Sequence, residues 1–415
     1  MRSLNPVILS YDALSCLGTT MEIQWQKACA GRSGVSKISR FPLRENFPVE
    51  IAGQVEDIDF KPYPLLSPRN MALWTSPIFK HGMLVVHRAL SKIGLEITPE
   101  ISSRVATTFS TALGGLDATV EADRILVGKG KLPAPSANPN ACVNMVGSKV
   151  SMMINATGPI VTPVAACASG SISMILGALF LQAGMADVAV CGAVDFPLIE
   201  TIVAGFAAMN GAYRSRPDKP ENPERASRPF SLDRRGFVVS EGAGCIILAT
   251  REFAQAHGLD YKIEMAGWSM NADAYHFVAP REDTIAGCMN KAIINSGIAP
   301  SDIHAISAHA ASTKIGDEVE YKALKEIFGL KIPPVSALKS QIGHAMGASS
   351  AVEAIFALEG MLRQTALPTI NYTPDPDLPL DCVPEGARNL KQEFILKNAF
   401  GFGGCNACIV FRRVS

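Results

Sequence analysis

Four residues in this chain carry side chains suited to thioester chemistry, and all four lie in turns built from small residues. Cys167 sits in the stretch A-C-A-S-G, His309 in A-H-A-A-S-T, and Lys339 and His344 share K-S-Q-I-G-H-A-M-G-A. A sulfur can accept an acyl group, while imidazole and ammonium groups can hold the negative charge that develops when a thioester carbon reacts. A single buried Cys or a lone His in a turn is more often structural. The combination of one Cys, two His and a Lys at strand ends with small neighbours is what carbon chemistry on a thioester needs.

The elements that position these side chains follow from patterning. A strand-like run from Val161 leads to Cys167, and the apolar residues 172–181 after it predict a buried helix. Cys167 then lies beside a helix N-terminus, where free N–H groups and the dipole favour a thiolate. Ala166, Ala168 and Gly170 leave room for a substrate. Strands are predicted over 6–10, 104–110, 187–192, 237–249, 261–270, 303–308, 395–400 and 407–411. The 187–192 run is apolar throughout, as in a parallel sheet. Helices are predicted from a Thr20 cap and over 75–93, 142–154, 284–296, 319–328 and 348–362. The alternation argues α/β layers. In both halves a strand feeds a small-residue turn and an apolar helix, which predicts a duplicated unit without repeating residue identity.

Bulk properties narrow the function classes. The 415 residues suffice for two core-forming units, and hydrophobic residues at 48% with charged residues at 18% describe a globular chain. Lys+Arg and Asp+Glu are both 38, so the balance argues for neither nucleic acid nor an anionic membrane as partner. Such a chain is expected to hide surface in an oligomer. The N-terminal apolar run is too short for a signal sequence, and no window is apolar enough for a membrane span. Ten scattered Cys fit a reducing compartment, so a cytoplasmic location is expected. Cys405 and Cys408 have C-x-x-C spacing but no second ligand pair and are read as structural. Residues 213–229, Pro-rich and charged, are read as a surface excursion, and 236–244 as glycine packing that lacks a P-loop Lys or G-x-G-x-x-G spacing.

Six motifs in order make the chain resemble the β-ketoacyl synthases of the thiolase-like condensing enzymes. They are A-C-A-S-G at 166–170, S-R-P-F-S-L-D-R-R-G-F-V at 227–238, D-A-Y-H at 273–276, A-H-x-x-S-T at 308–313, K-S-x-I-G-H-x-x-G-A at 339–348 and F-G-F-G-G-x-N at 400–406. The resemblance spans essentially the whole chain. It implies a five-layered αβαβα fold of two duplicated α/β halves, here 1–250 with the nucleophile and 251–415 with both His and the Lys, usually as a dimer. It further implies that Cys167 accepts the acyl chain and forms a triad with His309 and His344, supported by Lys339. The backbone N–H groups of Cys167 and Phe402 would form the oxyanion hole, and Phe402 would be the gate. The implied reaction is decarboxylative condensation of the Cys167-bound acyl group with malonyl-acyl carrier protein, giving 3-ketoacyl product and CO₂ for fatty acid or polyketide synthesis. It needs no metal or redox cofactor. No carboxylate is evident beside either His.

The chain departs from the family pattern at Ala310-Ala311, where Gly-Thr is usual, and at Val278, where a Thr is frequent. Both hydroxyls belong to the wall that binds the pantetheine arm in relatives. Their loss costs roughly 1 to 3 kcal/mol unless other donors replace them, which leaves the extender open. An elongating homodimer, the catalytic subunit of a heterodimeric type II polyketide synthase, and a non-catalytic chain-length subunit are the readings to separate. The last would lack Cys167. A thiolase would lack the K-S-x-I-G-H turn.

Overall fold

A strand buried at all eight positions needs cover on both faces, and Val188–Asp195 is such a strand. The computed structural model describes residues 5–209, 211–216 and 222–414. The first four residues of the N-terminal run and residues 217–221 of the 213–229 excursion lie outside the described residues. Nine strands form one sheet. They are β1 (Val7–Leu14), β2 (Val105–Thr107), β3 (Val188–Asp195), β4 (Gly242–Ala249), β5 (Ile263–Ala272), β6 (Ala305–Ser307), β7 (Val335–Ser336), β8 (Phe394–Gly401) and β9 (Cys405–Arg413). Their order is β2-β3-β4-β1-β5-β9-β8-β6-β7.

The duplication expected from sequence is visible in this order. In the first half β2 runs parallel to β3, which is antiparallel to β4, which is antiparallel to β1. In the second half β6, β8, β9 and β5 repeat that pattern with the same directions. The two repeats meet where β1 and β5 pair antiparallel at Val7 with Glu264 and Ile8 with Ile263. The sheet is therefore mixed, and the 187–192 run is parallel to one neighbour only. Its apolar character comes from burial on both faces rather than from an all-parallel sheet.

Each repeat of the sheet forms one layer, and helices occupy three more. Helices α1 (Pro77–Lys92) and α2 (Met145–Ile154) cover the outer face of the first repeat, with Leu84, Val86 and Val150 against Val190 and Ile247. Helix α3 (Ser169–Gln182) and helix α6 (Met346–Arg363) fill the space between the repeats, with Met174, Ile175, Val352 and Ile355 in one cluster with Ile246 and Ile409. Helices α4 (Glu282–Asn295) and α5 (Lys314–Phe328) close the other side through Ile285, Met289 and Leu324. This gives the five layers αβαβα. Among the described residues no helix is long and apolar enough to cross a membrane.

Three local expectations need correction. The run before Cys167 is not a strand: one bridge joins Ile160 to Thr107, and Pro163, which has no N–H, cannot continue a ladder. Residues 237–240 stand outside the sheet strand, which begins at Gly242; Val239 instead bridges to His344. Thr20 precedes helix Met21–Cys29 but makes no side-chain cap bond.

Candidate active site

Cys167 lies in the 3₁₀ turn Ala166–Ala168 that runs straight into α3. Ala166 has φ +47°, a left-handed conformation that costs a residue with a Cβ about 1 kcal/mol or more. Neighbouring bonds hold it there. Ser169 Oγ accepts from the Ala165 N–H at 2.9 Å and donates to the Ala166 carbonyl at 2.7 Å. Gly170 does not open a path for substrate. A Cβ there would stand 2.7 Å from the Ala351 nitrogen, so glycine is what lets α3 and α6 cross closely. Gly401 is similar: its Cβ would stand 2.4 Å from the Ala165 carbonyl oxygen. That close approach brings the end of β8 against the Cys167 turn and directs the Phe402 N–H at the sulfur.

His344 reaches the same point from the other repeat. Its main chain is clamped by 238–240, with His344 N donating to the Val238 carbonyl at 2.7 Å and Ser240 N donating to the His344 carbonyl at 2.9 Å. Its Nε2 lies 3.0 Å from Cys167 Sγ. Nδ1 accepts the Met346 N–H at 3.1 Å and stands 3.0 Å from Ser349 Oγ. An accepting Nδ1 places the proton of the neutral ring on Nε2, so His344 donates toward the sulfur.

His309 stands beside it at the end of β6, with ring centroids 5.8 Å apart and planes at 82°. Cys167, His309 and His344 each offer one ligand-type atom within 4.8 Å of the others. Lys339 Nζ lies 3.5 Å from His309 Nδ1 and also donates to the His309 carbonyl. An ammonium only donates, so His309 Nδ1 accepts and this ring too keeps its proton on Nε2. By type the three residues are a Cys-His-His ligand set. With both Nδ1 atoms accepting, neither Nε2 offers a lone pair, and the set is better suited to holding an anion than a cation.

The electrostatics correct two expectations. The helix start was expected to favour a thiolate, yet burial pushes the Cys167 thiol up to about 11, outweighing the Lys339 charge and the Phe402 N–H that pull it down. Cys167 is only 6% exposed, and desolvating the sulfur anion costs more than the turn returns. Both histidines are held well below their ordinary value, by burial first and then by the ammonium groups of Lys339 and Lys397, with His344 also acting on His309. The second correction concerns carboxylates, which are close by. Glu353 pairs with Lys339, and both are 1% exposed. Glu320 accepts the His309 N–H at 2.9 Å and the Ala310 N–H at 2.7 Å. Asp195 accepts from Thr111 Oγ1 and the N–H groups of Ala112, Leu113 and Gly347 at 2.7 to 3.1 Å. Each is matched by donors, so its charge is spent on positioning.

These acids are the functional residues that the sequence reading missed. Their signal was faint: Asp195 ends an apolar strand and Glu320 lies on the inward face of α5, where a carboxylate needs a partner. Asp317, also unforeseen, accepts from the N–H groups of Phe230, Ala311 and Thr313 and so ties the 227–238 segment to the His309 turn. Burial pushes it up to about 7.

The remaining site residues also have places. Phe402 is half-buried and packs on an apolar cluster that includes Phe237, Met346, Ala311 and Phe206. Phe237 lies edge-on to His344 at 5.4 Å and to Phe206 at 5.7 Å, so three rings pack in series away from the sulfur. Phe230 belongs to the outer core of the second repeat, and Met209 is 42% exposed. Val278 is half-buried in the loop whose Phe277 carbonyl accepts the Gly403 N–H at 2.9 Å.

The chain is similar to known proteins over nearly its whole length. Residues 6–254 match the N-terminal domain of beta-ketoacyl synthase and residues 263–373 its C-terminal domain. The 3-oxoacyl-[acyl-carrier-protein] synthase 2 of Vibrio harveyi is 34% identical over 417 residues, covering 99% of this chain and 98% of that protein. Two solved structures resemble the chain at TM-score 0.89. One, 27% identical with 99% of each chain covered, is a type II polyketide synthase acyl carrier protein in complex with its ketosynthase bound to the hexaketide. The other, 28% identical with 100% of each chain covered, is the ishigamide ketosynthase/chain length factor. Matched by both domains of that family along most of its length, and 34% identical to a relative over nearly all of both chains, the chain belongs to the β-ketoacyl synthase family.

Proposed function

We propose that this protein extends an acyl chain held on Cys167 by decarboxylative condensation with malonyl-acyl carrier protein, releasing CO₂ and 3-ketoacyl-acyl carrier protein. The observation that carries the reading is the 3.0 Å contact between Cys167 Sγ and His344 Nε2, with His309 beside it and both Nδ1 atoms engaged as acceptors. The nucleophile belongs to the N-terminal half, 1–250, and the His pair and Lys339 to the C-terminal half, 251–415.

In the first step the Cys167 sulfur attacks an acyl-carrier thioester. As its S–C bond forms, its proton passes to the departing carrier thiol. The Nε2–H of His344 and the Phe402 N–H face the sulfur and offset the cost of the buried charge as it develops. The acyl oxygen is held by the N–H groups of Cys167 and Phe402, a pair whose members are worth roughly 3 kcal/mol each in well-studied oxyanion holes. Phe402, packed on the apolar cluster, moves aside to admit the chain.

In the second step malonyl thioester loses CO₂, and its electron pair becomes an enolate. The two Nε2–H groups donate to the enolate oxygen, which neutral imidazoles can do without giving up a proton. Lys339 fixes His309 and adds positive charge behind it. The enolate carbon attacks the Cys167 thioester, the new C–C bond forms, and the sulfur leaves as a thiolate that takes one proton from solvent to restore the Cys167 thiol.

Acyl carrier protein is the partner that delivers both substrates. The protein works as a dimer in the cytoplasm, a location supported by its dispersed free thiols. Ile160, Val161 and Val164 are 40 to 50% exposed along the edge beyond β2, an apolar border suited to pairing with another chain. A second reading, the catalytic subunit of a ketosynthase/chain-length heterodimer, has the same border and the ishigamide resemblance behind it.

Incubation of the purified chain with acyl- and malonyl-acyl carrier protein tests the reading. A carrier-bound 3-ketoacyl product two carbons longer, seen by mass spectrometry, is expected. Acyl transfer without extension overturns the condensation. Extension only after a chain-length partner is added favours the second reading.

A further inference from the structure

The roles assigned to Cys167, His309, His344 and Lys339 leave unused a fully buried lysine that borders them. Lys397, on β8, is fully buried. Its Nζ lies 2.7 Å from Glu353 Oε2 and also donates to the Asn398 carbonyl. The other carboxylate oxygen of Glu353 pairs with Lys339, which in turn donates to His309. One carboxylate is thus shared by two ammonium groups.

A buried Lys339–Glu353 pair would already be balanced by itself, one charge of each sign. Burying a further lysine carries a desolvation cost that calls for a purpose. With Lys339, Lys397 and Glu353 ionised, the three side chains carry two positive charges and one negative, a net of +1. Without Lys397 the net is zero. The other charged groups facing this centre are already occupied. Glu320 is held by the N–H groups of His309 and Ala310 and by Asn398 Nδ2, and Asp195, on the Cys167 side, by four donors.

We propose that Lys397 is a positioning residue for the condensation, taking up half of the Glu353 charge so that Lys339 stays directed at His309 and a net positive charge stands behind both imidazoles. Lys397 touches no substrate and acts through Glu353 and Lys339. Burial lowers the Lys397 pKa from its ordinary value, and the carboxylates of Glu353 and Glu320 oppose that fall. Both imidazoles are held below their ordinary value by burial and then by the lysines, Lys397 among them. The ketosynthase reading supplies the reaction this arrangement serves.

The test compares Lys397→Met with the double variant Lys397→Met, Glu353→Gln. The single variant removes the net charge and the double variant restores it, because Lys339 alone again gives +1. Selective ¹⁵N-histidine NMR follows the ring titrations without substrate, and condensation assays give kcat against pH. The single variant is expected to show the His309 and His344 rings protonating at higher pH, the acid limb of kcat moving with them, and kcat roughly tenfold lower. In the double variant the ring titrations return toward wild type. Rings that titrate as in wild type in the single variant, or that stay shifted in the double variant, overturn the proposal. Should the single variant fail to fold, the double variant decides alone: wild-type ring titrations support the charge balance, and displaced ones refute it. Wild-type protein that does not condense its substrates defeats the ketosynthase reading, while the ring titrations still report on Lys397.

Discussion

At the scale of single residues, the site is a buried thiol facing two imidazoles whose protons are fixed by what binds the far side of each ring. His344 Nδ1 accepts from Met346 and His309 Nδ1 from Lys339, so both rings present Nε2–H without needing to ionise. This sets the pH response. The folded-state pKa of each ring lies below the unfolded value near 6.5, so the unfolded chain binds more protons as the pH falls under that value. The histidine contribution to stability is present above about pH 6.5 and is lost progressively below it. Asp317 acts oppositely. Its folded pKa of about 7 exceeds its ordinary value, so it costs stability as pH rises between the two. Urea titrations at several pH values are expected to show His309→Asn, His344→Asn protein losing less stability below pH 6.5 than wild type; equal losses contradict the buried neutral rings. Replacing the nucleophile is a stronger change. Cys167→Ala is expected to lower condensation by roughly 10⁶-fold, the scale seen when the nucleophile of a concerted catalytic group is removed. A carrier-bound product assay measures it.

At the scale of elements, two glycines do work that no side chain could. Gly401→Ala would drive a Cβ toward the Ala165 carbonyl, displacing the Cys167 turn and the Phe402 N–H together. Acylation of Cys167, followed by quenched-flow mass spectrometry, is expected to slow at least about tenfold while the fold survives. Gly170→Ala would press on the Ala351 main chain and separate α3 from α6. A loss of roughly 1 to 3 kcal/mol in urea unfolding is expected, as for other overpacked cores. Much of this level was legible in the sequence. The apolar run after Cys167 is α3, the 319–328 pattern is the later part of α5, and the 348–362 pattern is nearly all of α6. What patterning missed has physical reasons. Residues 161–165 look like a strand but contain Pro163, and Phe237, Val239 and Ser240 bridge to Ala212, His344 and Gly53 rather than to the sheet. Gly170 looked like an opening because residue size alone cannot distinguish space left for a substrate from space filled by another helix. The acids were missed because Glu320, Glu353 and Asp195 acquire meaning only through donors distant in the chain.

At the scale of the whole molecule, the two repeats explain why the site lies where it does. β1 and β5 join the repeats, α3 and α6 pack between them, and the N-terminal ends of those two helices bring Cys167 and His344 together. The outer edge beyond β2 is apolar at Ile160, Val161 and Val164. Val164→Asp is expected to convert a dimer into a monomer in light scattering coupled to gel filtration. Wild-type protein that is monomeric at micromolar concentration contradicts the use of this edge. In the proposed reaction Cys167 carries the growing chain between the two half-reactions. Intact-protein and peptide mass spectrometry after exposure to acyl-acyl carrier protein tests it most directly. One acyl group is expected on the Cys167 peptide, absent from Cys167→Ala, and it is expected to disappear when malonyl-acyl carrier protein is added. An acyl group on another residue, or one that persists through turnover, would contradict it.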